Sequence, residues 1–198
     1  MRFLSNPSSG KMGYALAGAC RDRGARVTLV SGPTALKRPE GVEFVAVESA
    51  RDMLRAARRG FGSCRVFIAS AAVSDFRPAV RHAQKVKKSG AEETLTLLPN
   101  PDILAELSRR KGGRLLVGFA AETQGLLANA AAKMRSKRLD LMVANRVGRP
   151  GSGFGSDDNR ATLLCTGRPA RALPLLPKRE LAETIVDEVE RLLSGGAV

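Results

Sequence analysis

The chain of 198 residues contains little of what several common kinds of active site need. It has no tryptophan, one tyrosine and one histidine, His82. A single histidine argues against a histidine-based metal cluster and against a Ser-His-Asp triad. The three cysteines lie far apart without a C-x-x-C pair, and their odd number argues against a disulfide framework.

Long apolar runs are also missing. No stretch of about eighteen consecutive apolar residues occurs, so the sequence predicts no transmembrane helix. Residues 1–4 form too short a segment for a secretory signal peptide. Together with the cysteine usage, these absences predict a cytoplasmic protein with no membrane partner.

Acidic residues are few beside basic ones. Lys and Arg number 33, Asp and Glu number 19, and the formal net charge is +14. Such a charge permits nucleic-acid binding. The basic residues are nevertheless scattered along the chain, and aromatic residues that would stack on bases are scarce. A small polyanionic substrate explains the charge better, and nucleic acid is kept as the alternative partner.

Apolar β-branched runs alternate with helical patterns along most of the chain. The hydrophobic content of 43% and the length of 198 residues suit one domain with a substantial core. Strands are predicted at residues 26–30, 42–47, 65–70, 94–98, 115–120, 139–144 and 161–165. Helices are predicted after residue 13, at 49–60, from 101, at 126–138 and at 178–193. This alternation predicts an α/β domain, a Rossmann-like three-layer sandwich with a mostly parallel sheet, which binds ligands at the carboxyl ends of its strands.

The most informative stretch is residues 5–13, Ser-Asn-Pro-Ser-Ser-Gly-Lys-Met-Gly, which leads into an Ala-rich helical pattern. Small residues before a helix start present unpaired N–H groups and the positive end of the helix dipole, which favour an anion. Lys11 adds a formal charge. The spacing is not that of a Walker A loop, and an ordinary serine cap is the alternative interpretation.

Three further segments carry candidate ligand groups. Small residues at 69–74 let a flat ligand approach the main chain, and Asp75 can accept a hydrogen bond there; the alternative is a simple strand-end turn. Lysines 85, 87 and 88 suggest either a basic flap that closes over a triphosphate or a solvated hairpin. Lys133 and Lys137 share one helix face, which suits either an anionic ligand or a solvated surface.

The glycine-rich residues 151–155 do not form a dinucleotide-binding fingerprint. Their glycine spacing differs from that fingerprint, and a strand rather than a helix is predicted to follow. The neighbouring Asp157 and Asp158 either help to hold a divalent cation or form a polar turn.

Taken in order, these segments closely resemble the phosphopantothenoylcysteine synthetase family, the second catalytic half of the bifunctional flavoprotein of coenzyme A biosynthesis. Several of the matching strings are specific on their own, and together they cover nearly the whole chain. They are residues 5–13, 27–33, 71–77, 85–88, 100–104, 118–123, 133 with 137, 140–145 and 154–159.

The resemblance implies a phosphopantothenate–cysteine ligase domain over residues 1–198. The family uses CTP to convert the carboxylate of 4′-phosphopantothenate into an acyl-cytidylate with release of pyrophosphate. The cysteine amine then attacks the acyl carbon and CMP leaves. The resemblance assigns Lys85 to the α-phosphate and the acyl-phosphate transition state, Asn6 to holding the acyl-cytidylate, and Arg2 to the same step.

The remaining site residues are likewise implied by the resemblance. Substrate contacts are expected from Asn6, Ser9, Gly10 and Lys11 in the N-terminal loop. Nucleotide contacts are expected from Ala69, Ser70, Ala71, Asp75, Lys85, Pro101, Asp102, Ile103, Leu104, Phe119, Lys133 and Lys137, the last two on the triphosphate. The family uses a divalent cation, Mg²⁺ or Mn²⁺, largely to neutralise the triphosphate, and no metal ligand is assigned. A homodimer is also expected.

Two parts of the family pattern are not found in the sequence. A strand and a Gly-Gly-Thr loop normally precede the position of Arg2, so we expect an N-terminally truncated domain with a gap in its sheet. The flavin-binding decarboxylase half is also absent, so no FMN is expected in this chain, while fusion to or association with such a domain is. The alternatives are an inactive truncated fragment and a basic nucleic-acid-binding protein on the same fold, and CTP is not distinguished from ATP by sequence.

Overall fold

Five helices and nine strands occur in the described part of the chain, which is residues 3–82, 84, 87, 90, 94–146 and 156–195 of a computed structural model. The helices are α1 (Lys11–Asp22), α2 (Ala50–Phe61), α3 (Ile103–Ser108), α4 (Leu126–Ser136) and α5 (Lys178–Leu193). The strands are β1 (Thr28–Ser31), β2 (Glu43–Ala46), β3 (Val66–Ala69), β4 (Phe76–Pro78), β5 (Leu97–Pro99), β6 (Leu115–Glu122), β7 (Leu141–Arg146), β8 (Asp158–Cys165) and β9 (Arg171–Pro177). None of the described helices is long and apolar enough to cross a membrane.

The main sheet has five strands in the order β3-β6-β7-β8-β9. Strands β3, β6 and β7 are parallel, whereas β8 and β9 extend the sheet in antiparallel fashion. A separate parallel pair is formed by β1 and β2, and a short antiparallel pair by β4 and β5. The predicted α/β class with a mostly parallel sheet is confirmed.

Helices cover both faces of the main sheet. One core cluster joins α1 and α5 to the sheet, and a second cluster joins α2, α3 and α4 to its other face. On β6, Leu116 and Val117 are both 0% exposed and belong to opposite clusters. Continuous apolar runs of this kind are typical of parallel strands buried on both faces. The three layers are therefore helix, sheet and helix, as predicted.

The parallel strands fall into two groups. Among the described residues β1 pairs only with β2, and the chain returns through α2 to β3 in the main sheet. Helix α1 contacts β1 and packs in the same core cluster as Ile68 of β3, while Phe61 of α2 packs edge-on against Phe67 with 5.7 Å between ring centroids. The helices thus span an interval between β1 and β3 that no described strand fills.

Two strands were not predicted from the sequence. Strand β4 lies in what was interpreted as a loop after β3. Strand β9 contains Pro174 and Pro177, and its pairing with β8 shifts register between Arg160 and Thr162. Proline lacks a donor for the ladder, so it is confined to edge strands and bulges, and both conditions hold at β9.

Candidate active site

The carboxyl ends of the parallel strands lie at one edge of the main sheet, called here the carboxyl edge. Strand β3 ends there at Ala69, followed by the half-buried Ser70 and the exposed Ala71. Helix α1 starts at the same edge, since a Cβ built on Gly13 would lie 3.1 Å from Ser70 Oγ. Crossover connections place loops and helix starts at this edge, which is where α/β sheets bind ligands.

Gly10 sets the start of α1. Its φ is +75° and a Cβ there would lie 2.8 Å from Thr34 Cγ2, so the position requires glycine. The first turn contains no acidic residue, and the N–H groups of Gly10 and Lys11 donate to Ser8 Oγ and Ser9 Oγ at 3.4 Å each. The N-cap of α1 is Gly10, without a side-chain cap hydrogen bond, and the positive end of the helix dipole favours an anion here.

Lys11, the first residue of α1, pairs with Asp157, which contacts the first residue of α5. Its Nζ is 2.6 Å from Asp157 Oδ1, and the hydrogen bond from Lys11 is the main cause that lowers the pKa of Asp157. The main-chain N–H of Lys178, the first residue of α5, donates to the Asp157 carbonyl at 2.9 Å. Burial, followed by the charge of Lys11, lowers the pKa of Lys178. The start of α5 therefore adjoins the start of α1, with Asp157 between two cations.

The N-terminal loop is attached to the turn after β3. Asn6 Nδ2 donates to the Val73 carbonyl at 3.2 Å, across 67 residues of sequence. Two segments that the sequence singled out independently, residues 5–13 and residues 69–75, are brought together by this contact.

Asp75 lies in a turn that is held by Asn100. The Asn100 N–H donates to the Asp75 carbonyl at 2.7 Å, and its side chain also bonds to the turn. The Asp75 carboxylate is exposed and has no hydrogen-bond or ion-pair partner among the residues that the structure describes. Asn100 was part of a matching string, but its own role was not predicted.

The start of α3 joins residues 101–104 to Lys137. Asp102 caps α3 by accepting from the Ala105 N–H at 2.9 Å, and its Oδ2 lies 2.7 Å from Lys137 Nζ. Burial acts to raise the pKa of Asp102, but the hydrogen bonds from Lys137 and the main chain outweigh it and lower that pKa. Ile103 and Leu104 pack in the core beneath and Pro101 is half-buried, so any ligand contact from the two apolar side chains is restricted.

The other predicted lysine pairs with a carboxylate at the end of β6. Lys133 Nζ lies 2.7 Å from Glu122 Oε1, and Asn129 Nδ2 donates to Glu122 Oε2 at 3.1 Å. The hydrogen bond from Lys133 is the main cause that lowers the pKa of Glu122. Phe119, further back on β6, is half-buried against the α1–α5 core. Glu122 was inside a matching string, but sequence alone gave no sign that it would hold Lys133.

Two catalytic predictions, Arg2 and Lys85, lie outside the described residues. The described neighbour Lys87 is exposed. No group of three or more His, Cys, Asp or Glu side chains that would hold a metal is found in the described part of the chain.

Arg65 and Arg114 lie at the opposite edge of the sheet, called here the amino edge. Helices α2, α3 and α4 all end there, and cations at helix C-termini are favoured by the dipole. The contacts of Arg114 with the Phe61 and Gly62 carbonyls, at 2.7 Å each, connect these ends. An open cavity of about 290 Å³ lies at this edge. Its lining includes Arg65, Arg114, Leu115 and Asp140.

A helix start, a small-residue turn and the Lys133–Glu122 pair lie at the carboxyl edge of the sheet, and the fold is that of a Rossmann-like domain. Comparison with known proteins gives the particular family. The family model described as DNA/pantothenate metabolism flavoprotein C-terminal domain matches residues 1–193. The chain belongs to this family, which confirms the resemblance inferred from sequence.

Individual relatives agree with this assignment. The coenzyme A biosynthesis bifunctional protein CoaBC of Bacillus subtilis (strain 168) is 44% identical over 193 residues, which cover 97% of this chain and 48% of that protein. The chain therefore spans about half the length of the curated relatives it matches.

Solved structures show the same fold. The C-terminal domain of a CoaBC protein is 39% identical with a TM-score of 0.84, and the match covers 99% of this chain and 89% of that chain. A Cab2 mutant in complex with phosphopantothenate-cysteine is 18% identical with a TM-score of 0.70, and the match covers 96% of this chain and 79% of that one. The second similarity concerns the fold alone.

Proposed function

We propose that the chain acts in coenzyme A biosynthesis as a phosphopantothenate–cysteine ligase. In the first half-reaction, a carboxylate oxygen of 4′-phosphopantothenate attacks the α-phosphorus of CTP, pyrophosphate leaves, and an acyl-cytidylate forms. In the second, the cysteine nitrogen attacks the acyl carbon, the acyl C–O bond breaks, CMP leaves, and the nitrogen loses a proton. Family membership and the similarity to the CoaBC C-terminal domain support this proposal.

One contact carries the proposal, the hydrogen bond from Asn6 to the Val73 carbonyl. It places the anion-favouring start of α1 beside the turn that precedes Asp75. A reaction between a carboxylate and a triphosphate needs both partners in one place, with positive charge to offset their repulsion. In this proposal Asn6, Ser9, Gly10 and Lys11 bind the acyl substrate.

The nucleotide side of the proposal uses the turn after β3, strand β6, the start of α3 and two lysines near the end of α4. Ala69, Ser70, Ala71, Asp75, Phe119 and residues 101–104 bind the nucleoside. Lys133 and Lys137 bind the triphosphate. In the described chain these two lysines contact Glu122 and Asp102 at 2.7 Å each, so the carboxylates keep the ammonium groups in place until phosphate oxygens replace them.

Lys85 and Arg2 complete the proposed catalytic set. Lys85 is assigned to the α-phosphate, where a fixed cation stabilises the charge that develops during transfer. Arg2 assists at the acyl-cytidylate together with Asn6.

The proposed partners are a divalent cation, a second copy of the chain and a decarboxylase domain. Mg²⁺ or Mn²⁺ would be held mainly by the triphosphate, because the described residues offer no three-ligand cluster. A homodimer is supported by the β4–β5 pair, where Phe76, Leu97 and Leu98 are 40–50% exposed. A flavin-dependent decarboxylase is fused to or associated with this domain in the proposal, in line with the bifunctional relatives.

A pyrophosphate assay tests the ligase proposal. The chain is compared with a version extended upstream by the strand and Gly-Gly-Thr loop of the family. We expect pyrophosphate release that requires 4′-phosphopantothenate and CTP together, with the extended chain at least as active. Release that does not depend on phosphopantothenate in either version would contradict the proposal, and activity confined to the extended version would identify the present chain as an inactive fragment.

The amino edge favours a second candidate, binding of a nucleic acid through its phosphates. Arg59, Arg109 and Arg138 at this edge form no salt bridge or hydrogen bond with a carboxylate among the described residues. Duplex DNA binding with a steep salt dependence, lost when these three are changed to Gln, would support it. If changing Arg51, Arg160 and Arg171 to Gln lowered DNA binding equally, the binding would depend on net charge alone and not on the amino edge.

A further inference from the structure

Asn100 connects two segments of the carboxyl edge. It is half-buried between β5 and α3 and directly precedes Pro101. Its main-chain N–H donates to the Asp75 carbonyl at 2.7 Å. Its Nδ2 donates to the Ser74 carbonyl at 2.9 Å and to the Phe76 carbonyl at 3.2 Å. One residue therefore binds three consecutive carbonyls of the turn.

The side-chain oxygen of Asn100 is used as well. Arg77 Nη1 donates to Asn100 Oδ1 at 3.3 Å and also to the Pro99 carbonyl. The amide nitrogen thus faces the turn and the amide oxygen faces Arg77. Among side chains of this size only an amide supplies two donors and an acceptor in this arrangement, since aspartate lacks the donors and leucine lacks both.

This network fixes the main chain of the turn without using the carboxylate of Asp75. The carbonyls on both sides of Asp75 and its own carbonyl are all engaged by Asn100. The carboxylate itself stays exposed without a partner among the described residues. A carboxylate held ready in this way binds a donor without the cost of ordering its loop.

We propose that Asn100 is a positioning residue that holds Asp75 toward the nucleotide. The inference rests on the proposed function, because Asp75 and residues 101–104 are its proposed nucleotide contacts. Asn100 acts through Asp75 and does not itself touch the reacting atoms. Its loss weakens nucleotide binding and leaves the acyl and cysteine sites intact.

The test is steady-state kinetics on Asn100→Leu, with Asn100→Ser as a second variant if the leucine variant does not fold. We expect KM for CTP to rise on the order of tenfold, as loss of the two side-chain hydrogen bonds to the turn implies, with kcat and the other two KM values within about twofold. Ser74→Ala is the matched control, because it removes the 2.9 Å hydrogen bond from the Ser74 hydroxyl to the same Phe76 carbonyl and leaves the Ser74 carbonyl that accepts from Asn100 in place. Its KM for CTP is expected to stay within about twofold.

A double-mutant cycle shows whether Asn100 acts through Asp75. In an Asp75→Asn background, Asn100→Leu should change KM for CTP by less than about twofold, because the carboxylate that Asn100 positions is already absent. The full tenfold effect in that background would overturn the inference. An equal rise in all three KM values would also overturn it, since that result indicates general destabilisation.

Hydrogen exchange of residues 74–77 without ligands separates this inference from the proposed function. Faster exchange in Asn100→Leu is expected, and unchanged exchange would overturn the positioning role whatever the kinetics. If the wild-type chain and its upstream-extended version neither bind CTP nor turn it over, the proposed function fails, and the inference about the nucleotide fails with it.

Discussion

The side-chain amide of Asn6 donates a hydrogen bond to the main-chain carbonyl of Val73 at 3.2 Å. Asn6 lies in the loop before α1, and Val73 lies in the turn after β3, so the contact crosses the boundary between the two proposed substrate sites. Asn6 is exposed, and the bond is therefore more important for positioning than for stability.

Replacing Asn6 should separate the two half-reactions. In Asn6→Ala we expect formation of phosphopantothenoylcysteine to fall about 100-fold, in line with the loss of one positioned donor. Pyrophosphate should still form in the first turnover, because the proposed role of Asn6 belongs to the second step. Quenched-flow measurement of both products checks this.

Ser5→Ala is the control for Asn6→Ala, since Ser5 Oγ donates to the Asn6 carbonyl at 3.1 Å and touches no proposed substrate group. It should retain wild-type rates within about threefold. Equal loss of both half-reactions in Asn6→Ala would contradict the assignment of Asn6 to the second step.

Lys85→Gln should abolish turnover without unfolding the protein. Loss of a fixed cation at the α-phosphate is expected to lower kcat by about 100-fold or more. Lys87→Gln is the comparison, because Lys87 is an exposed lysine two residues away that is not assigned to the α-phosphate. Rates and melting temperatures of both variants check the prediction, and a fully active Lys85→Gln would refute the assigned role.

Gly10→Ala should destabilise the fold by about 1–3 kcal/mol, because alanine is strained at a left-handed φ. The backbone φ is +75°, and the new Cβ would also lie 2.8 Å from Thr34 Cγ2. Urea unfolding measures the loss. Thr34→Ser removes the clashing methyl group and should restore part of it.

Gly18→Ala, inside α1, should change stability in the opposite direction to Gly10→Ala at the N-cap of this helix. Nothing lies within 4 Å of a Cβ built on Gly18, so alanine there should stabilise the protein by up to about 1 kcal/mol. If both substitutions changed stability alike, strain at Gly10 would not be the reason for glycine at that position.

The Asp102–Lys137 pair predicts part of the acid sensitivity. The pKa of Asp102 in the fold lies below its ordinary value of 3.8, so the unfolded chain binds the proton more readily. The stabilisation is therefore present above pH 3.8 and is lost as pH falls through the lower folded pKa. When the pH is lowered from 5 to below 3.8, Asp102→Asn should lose less unfolding free energy than the wild-type chain. An identical loss in both would contradict the predicted pKa shift of Asp102.

Sequence predicted the layers of the fold more readily than its contacts. The apolar runs of β6 and β7 are evident in the sequence because both faces of these strands are buried. Strand β9 was not predicted because its prolines argue against a central strand, whereas an edge strand and a bulge tolerate proline.

The candidate site could be predicted in part only. The anion-favouring loop at residues 5–13 follows from local chemistry, whereas individual roles came from the family resemblance. The pairs Lys133–Glu122 and Lys137–Asp102 join residues 11 and 35 positions apart, and such pairing depends on how helices pack. The same is true of Asn100, whose three carbonyl partners lie more than twenty residues earlier.

The most direct test of the account follows the oxygen atoms of the substrate. 4′-Phosphopantothenate labelled with ¹⁸O in its carboxylate is incubated with CTP, Mg²⁺, cysteine and the upstream-extended chain. The masses of CMP, pyrophosphate and the amide product are then measured by mass spectrometry. An acyl-cytidylate requires one labelled oxygen to appear in CMP and none in pyrophosphate. Label in inorganic phosphate or pyrophosphate, or an amide product with unlabelled CMP, would contradict the proposed activation by CTP.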